Sequence, residues 1–184
     1  NISAAWSKAF DHAAEILDVE SRRLQANSFV LKIDDESFEK FNDDFPYIET
    51  PDQLTAIDSI RNDIKLIKPM NRVLCGDVGF GKTEVAMRSS YISVFSNKQV
   101  VIVTPSTVLC DQHNNSFLKR FENFPVSITK LNRHTGGKEK QKIIDDFKNK
   151  KIDILITTHI AFNNNLDFSN VGLLIICLLY TSDA

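Results

Sequence analysis

Along residues 3 to 24 the apolar positions Trp6, Phe10, Ala13, Leu17 and Leu24 fall near helical spacing, with charges between them and Ser3 available as an N-cap. This pattern predicts an amphipathic helix. Residues 25 to 52 lose the periodicity: they are polar, acidic and broken by Pro46 and Pro51, which predicts a connector that becomes ordered only near its end. From there short apolar runs alternate with helical patterns. A helix over 52 to 66 leads to a buried strand at 72 to 76, a glycine-rich turn, a helix from 83 to 95 and the strand Val100-Val101-Ile102-Val103. A helix near 106 to 121, a strand at 126 to 131, a helix at 138 to 149 and strands at 152 to 157 and 171 to 176 complete the series. Strands separated by helices are joined by crossovers, and crossovers make neighbouring strands parallel. The expected fold class is α/β, a parallel sheet with helices on both faces, preceded by the amphipathic helix.

The turn after residues 72 to 75 carries the strongest chemistry. Gly76-Asp77-Val78-Gly79-Phe80-Gly81-Lys82-Thr83 is a complete G-x-x-x-x-G-K-[ST] phosphate loop, and it stands where the motif needs to stand, between a strand pattern and a helix pattern. Glycines let the backbone curl so that successive N–H groups face phosphate oxygens at a helix N-terminus. Lys82 adds a mobile positive charge, and the Thr83 hydroxyl suits a Mg²⁺ ion that bridges the β- and γ-phosphates. Lys82 and Thr83 are the candidate catalytic residues, Thr83 is the candidate metal ligand, and ATP with Mg²⁺ is the expected cofactor.

Composition narrows the class further. With 184 residues, 42% hydrophobic and 25% charged, the chain can bury one sizeable core plus an appendage. No apolar run approaches the roughly 18 residues of a membrane span, so no membrane partner and a cytoplasmic location are expected. Cys75, Cys110 and Cys177 lie scattered in apolar surroundings without paired spacing, which argues for reduced thiols over a disulfide or zinc framework. The net charge of −2 is unevenly spread: residues 1 to 52 hold five basic against twelve acidic side chains, and residues 130 to 151 hold eight against three. The basic segment is either a polyanion-facing surface or a solvated helix face.

Ligand sites in parallel sheets lie beyond the carboxyl ends of the strands. Thr104-Pro105-Ser106-Thr107, Asn132-Arg133-His134 and Thr157-Thr158-His159 occupy those ends. Small hydroxyl residues there either bind phosphates or cap the helices that follow.

Longer motifs tie these positions to a family. Phe45-Pro46-Tyr47-Ile48-Glu49-Thr50-Pro51-Asp52-Gln53, and the block from Met70 through the phosphate loop to Thr83-Glu84-Val85-Ala86-Met87-Arg88, resemble the bacterial transcription-repair coupling factors. These are superfamily 2 DNA translocases whose motor is similar to that of the branch-migrating recombination helicase. The resemblance runs from about residue 4 to 176 and implies a RecA-like first motor lobe at 45 to 176, incomplete here, behind a connector helix and linker at 1 to 44. It gives Gln53 the role of reading adenine, since an amide can donate and accept at once. Phe45 either stacks on the base or belongs to the core. The resulting nucleotide set is Phe45, Gln53, Gly76, Asp77, Val78, Gly79, Phe80, Gly81, Lys82, Thr83 and Glu84. Pro105, Thr107, Arg133, Thr158 and His159 become candidate contacts to the backbone of double-stranded DNA. Thr157, His134 and Asp111 depart from the family, which usually has glycine, an aromatic residue and glutamine there. RNA polymerase and excision-repair proteins are implied partners, reached through segments outside this chain.

The resemblance stops at Leu173-Leu174-Ile175-Ile176-Cys177-Leu178-Leu179-Tyr180. Family strands here end in an Asp-Glu-Glu-Gln-like motif that holds Mg²⁺ and positions the attacking water. Cys177 and Leu178 offer neither a hard oxygen ligand nor a base, and Asp183 arrives six residues late. Residues 177 to 184 are therefore expected to be a non-matching tail. The resemblance implies an ATP-driven DNA translocase for the parent protein, with the isolated chain expected to bind nucleotide weakly without turnover. The alternatives are a recombination-type helicase motor, a small-molecule kinase or other phosphate-loop enzyme, and a nucleotide- or DNA-binding module without catalysis.

Overall fold

The computed structural model describes residues 2–32, 34–77, 79–163 and 166–178, with side chains 2–9, 11 and 163 outside that description. The elements are α1 (Ile2–Gln25), α2 (Asp35–Asp43), α3 (Pro51–Asp63), α4 (Lys82–Phe95), β1 (Gln99–Val103), α5 (Thr107–Arg120), β2 (Ile128–Leu131), α6 (Gly137–Lys148), β3 (Ile154–Thr157) and β4 (Val171–Ile176), with a 3₁₀ helix at His159–Asn163. The strands form one sheet in the order β2-β3-β1-β4. Every pairing is parallel. Thr157 of β3 stands level with Val103 of β1 and Leu131 of β2, so three carboxyl ends finish in register along one edge.

Alternation along β1 and β3 explains why both faces are covered. Val100, Ile102, Ile154 and Ile156 point into a core shared with α2, α3, α4 and α5. Val101, Val103 and Leu155 point the other way, against Ile143 and Phe147 of α6 and Ala161 of the 3₁₀ helix. All five β1 residues are buried, as a central parallel strand requires. This is the α/β architecture expected from the alternating pattern.

Two local expectations are corrected. Residues 25 to 52 are more than a connector: α2 buries Phe38 and Phe41 in the main core, where Phe41 packs on Tyr91, Phe121 and Phe124. Their three-residue spacing suffices for one buried face of a short helix, although the surrounding acids hide it in composition. Leu31 also bonds back through its N–H to the Ile64 carbonyl at 3.1 Å.

The buried strand expected at 72 to 76 is not formed. Residues 71 to 77 are exposed and carry no strand, with Val73 78% exposed. Arg72 binds Asp63 at the end of α3 at 2.7 Å, and Lys82 turns back onto the Gly76 and Asp77 carbonyls. Both ends of the run are thus tied to α3 and the loop instead of a sheet edge. Among the described residues no strand covers the outer edge of β4, where Leu174 and Ile176 are exposed.

The amphipathic helix at the start is present as α1. Its described apolar side chains Phe10, Ile16, Leu17 and Leu24 are exposed, while Asp18–Arg22 and Glu20–Arg23 pairs stitch its polar surface. The Trp6 side chain lies outside the described residues.

Candidate nucleotide site and nucleic-acid face

The α4 helix leads straight into β1, so its N-terminus lies toward the carboxyl edge of the sheet. That N-terminus follows the phosphate loop. Gly81, its N-cap, has φ +67° and places no side-chain cap over the first turn, leaving that end of the helix open to an anion. Gly79 has φ +90°, and a Cβ there would meet nothing within 4 Å. The open space and glycine backbone fit a bound polyphosphate. Lys82 Nζ donates to the Gly76 carbonyl and, at 2.6 Å, to that of Asp77. The ammonium thus already sits over the loop interior. Thr83 is half-buried beside it. Val78 lies outside the described residues.

Gly81 is also held by its surroundings, since a Cβ built there would collide with Gln53 Nε2. Gly81→Ala is expected to cost about 1–3 kcal/mol through its left-handed backbone alone. A thermal melt should show the loss, and nucleotide titration should show weaker binding.

The side of the cleft beside the loop is set by α3. Thr50 caps the helix by accepting from the Gln53 N–H at 3.2 Å, while Gln53 Oε1 accepts from the Thr50 N–H at 2.9 Å and Pro51 fills the first turn. Gln53 Nε2 donates to the Phe80 carbonyl at 3.0 Å, joining α3 to the phosphate loop. An amide has two donors and two acceptor sites, so one of each remains for a base edge. Gln53 lines a cleft of about 1090 Å³ with Phe45, Tyr47, Gly79, Phe80, Gly81 and Thr83. Gly76, Asp77 and Lys82 do not line this cleft and are joined to one another through the Lys82 contacts above.

Beneath the cleft lies a buried charge cluster. Glu84 is 6% exposed and accepts from Arg88 Nε at 2.9 Å and Arg120 Nη2 at 3.0 Å. Arg88 also pairs with Glu49, and Arg120 donates to the Phe41 carbonyl at 2.6 Å. The Glu84 carboxylate therefore faces the arginines, not the phosphate loop. Arg88 holds the Glu49 carboxyl below its ordinary value of 4.5. A lowered carboxyl pKa stabilises the fold above the unfolded value, and that contribution is lost as pH falls through the folded value.

At the carboxyl edge, Ser106 caps α5 by accepting from the Leu109 N–H, which leaves Thr107 half-buried in the first turn and Pro105 exposed. After β2, the Asn132 side chain accepts from the His134 N–H at 2.9 Å, and the Asn132 N–H donates to Thr135 Oγ1. This turn leaves Arg133 and His134 exposed. Asp111 binds Lys130 at 2.6 Å and accepts from Asn132 at 3.4 Å, tying the turn to α5. His159 is exposed beyond β3. Thr158 is 3% exposed, so its side chain does not reach the surface with Arg133 and His159.

Residues 50–176 match the family profile of the DEAD/DEAH box helicases. The chain belongs to the DEAD/DEAH box helicase family. It is 44% identical over 172 residues to a transcription-repair-coupling factor of Haemophilus influenzae, covering 94% of this chain and 15% of that protein. A transcription-repair-coupling factor of Escherichia coli K12 is 42% identical over 180 residues, covering 94% of this chain and 16% of its own length. A solved structure of RecG bound to a three-way DNA junction superposes with a TM-score of 0.83 at 32% identity, over 91% of this chain and 23% of that one. The chain therefore spans a small fraction of the curated relatives that it matches.

In this helicase lobe the end of β4 carries no acid. The Cys177 N–H donates to the Val103 carbonyl at 2.8 Å, burial pushes its thiol pKa up, and Leu178 is 83% exposed. Among the described residues no group of three His, Cys, Asp or Glu side chains could hold a metal ion. The expected tail falls largely outside the description, which ends at 178. Sequence reasoning missed Arg120 and Tyr47 at the cleft, Glu49 and Arg88 in the charge cluster, and Asn132 at the turn. The Glu84-Arg88 spacing was a readable signal. Arg120 had none.

Proposed function

We propose that this lobe binds ATP with Mg²⁺ and forms the first motor lobe of a cytoplasmic DNA translocase acting in transcription-coupled repair. In the longer protein, that motor would displace stalled RNA polymerase and promote excision repair. The observation that carries the reading is the open, glycine-capped N-terminus of α4, with Lys82 poised over the loop and Gln53 beside it. The relatives' names support the placement in repair.

The loop N–H groups and Lys82 hold the triphosphate, Thr83 offers its hydroxyl to Mg²⁺, and Gln53 turns its remaining donor and acceptor to adenine. Phe45 and Tyr47 wall the base side of the cleft. When bound, Mg²⁺ neutralises charge on the β- and γ-phosphates. Cys177 and Leu178 supply no base to orient water. This favours a nucleotide-binding module without turnover for the isolated chain, and its purified form is expected to show no DNA-stimulated ATP hydrolysis. A robust DNA-stimulated rate abolished by Lys82→Ala would contradict that.

Arg133, His159, Pro105 and Thr107 form the proposed DNA-facing edge, contacting phosphates without reading bases. Arg133→Ala should weaken double-stranded DNA binding similarly for unrelated sequences and reduce the salt slope by about 0.9. Fluorescence anisotropy across a salt series measures both. An unchanged affinity and slope would remove Arg133 from the interface.

A further inference from the structure

The wall formed by Phe45 and Tyr47 has space on both sides. On one side is the nucleotide cleft of about 1090 Å³, and on the other a second cavity of about 420 Å³, with Phe45 and Tyr47 lining both. Residues 45 to 50 contain no helix or strand, and the Phe45 N–H is held by the Asn42 carbonyl at 3.0 Å. Dense packing therefore cannot be what fixes this wall.

The charge cluster supplies the missing constraint. Both guanidinium groups lie over the Phe45 ring, Arg88 at 5.3 Å and Arg120 at 5.7 Å from its centre. Arg88 is 2% exposed and pairs with Glu49, four residues beyond Phe45. Arg120 reaches the Phe41 carbonyl and stacks over the Phe41 ring at 3.8 Å, on the other side of the wall segment. Glu84 joins the two arginines and anchors them in the first turn of α4. The wall is thus suspended at both ends from the helix that begins the phosphate site.

We infer that Arg88 and Arg120, linked through Glu84, are positioning residues for the nucleotide base: they hold the Phe45–Glu49 segment against the cleft and so couple base recognition to α4. This inference rests on the reading of the cleft as an ATP site. It separates the base from the phosphates energetically, because the arginines touch the wall and leave Lys82 and Thr83 alone. Losing this support should weaken ligands that carry a base and spare those that do not.

The test compares ATP with inorganic triphosphate, each with Mg²⁺, by calorimetric titration of the full 184-residue chain and its Arg120→Met and Glu49→Ala variants. Each variant is expected to bind ATP about tenfold more weakly while holding inorganic triphosphate within about twofold of the unchanged chain. Glu49→Gln, which keeps the hydrogen bond and loses the charge, should fall between. Equal weakening of both ligands, or unchanged ATP affinity, would overturn the inference. Because Arg120 is buried, circular dichroism melting checks that variant for folding; Glu49 is partly exposed and carries the test if Arg120→Met does not fold. Failure of the unchanged chain to bind either ligand would instead overturn the ATP-site reading beneath it.

Discussion

Replacing Glu84 with alanine is expected to destabilise the fold by about 3–5 kcal/mol, because it leaves buried guanidinium groups without their shared anion. Arg88 is 2% exposed and Arg120 8% at the side chain, so water cannot replace the carboxylate. Arg88 would retain Glu49, and Arg120 would retain the Phe41 carbonyl. Among the described residues Arg120 Nη1 already lacks a hydrogen-bond partner, so a second loss on the same group is especially costly. For a chain of this size the melting temperature should fall by about 10 °C. Glu84→Gln, which keeps an acceptor and the side-chain volume, should fall by less. Thermal denaturation of the two variants beside the unchanged chain checks the order; a Glu84→Ala melt within about 1 kcal/mol of the unchanged chain would show that the cluster is solvated after all.

The second large effect is on ligand binding. Lys82→Ala is expected to weaken ATP binding by about 100-fold, the loss of a charge-assisted hydrogen bond to phosphate. Its effect on stability should be small. Among the described residues Lys82 donates to the Gly76 and Asp77 carbonyls, and both residues are exposed, so water can take the place of the ammonium. A variant that melts like the unchanged chain yet fails to bind nucleotide would separate the phosphate role of Lys82 from any structural one.

The parts of this molecule that could be read from the chain are those set by local spacing. Val100 to Val103 and Ile154 to Thr157 alternate across a sheet whose faces are both covered, so the apolar runs themselves announce buried parallel strands. Gly79 and Gly81 take positive φ where the phosphate-loop spacing requires glycine. The run at 72 to 75 looks the same in sequence yet stays exposed and forms no strand, with Arg72 paired to Asp63, although the outer edge of β4 is uncovered among the described residues. Phe38 and Phe41 were hidden among acids, and only their packing against Tyr91 reveals the helix that they anchor.

The site divides along the same line. Family resemblance proposes Gln53 as a base reader, whereas its place in a capping box and its bond to Phe80 are seen only in the fold. Arg120 lies 36 residues from Glu84, and nothing in the spacing of α5 marks it as part of the nucleotide cleft. Thr158 shows the opposite failure: a hydroxyl residue at a strand end that the fold turns inward.

Titration of ATP with Mg²⁺ into this chain and into Lys82→Ala, followed by heat release, tests the central claim most directly. The unchanged chain is predicted to bind at one site, with the variant weaker by about two orders of magnitude. Equal binding by both proteins, or no binding by the unchanged chain, would contradict the assignment of Gly76 to Thr83 as its nucleotide site.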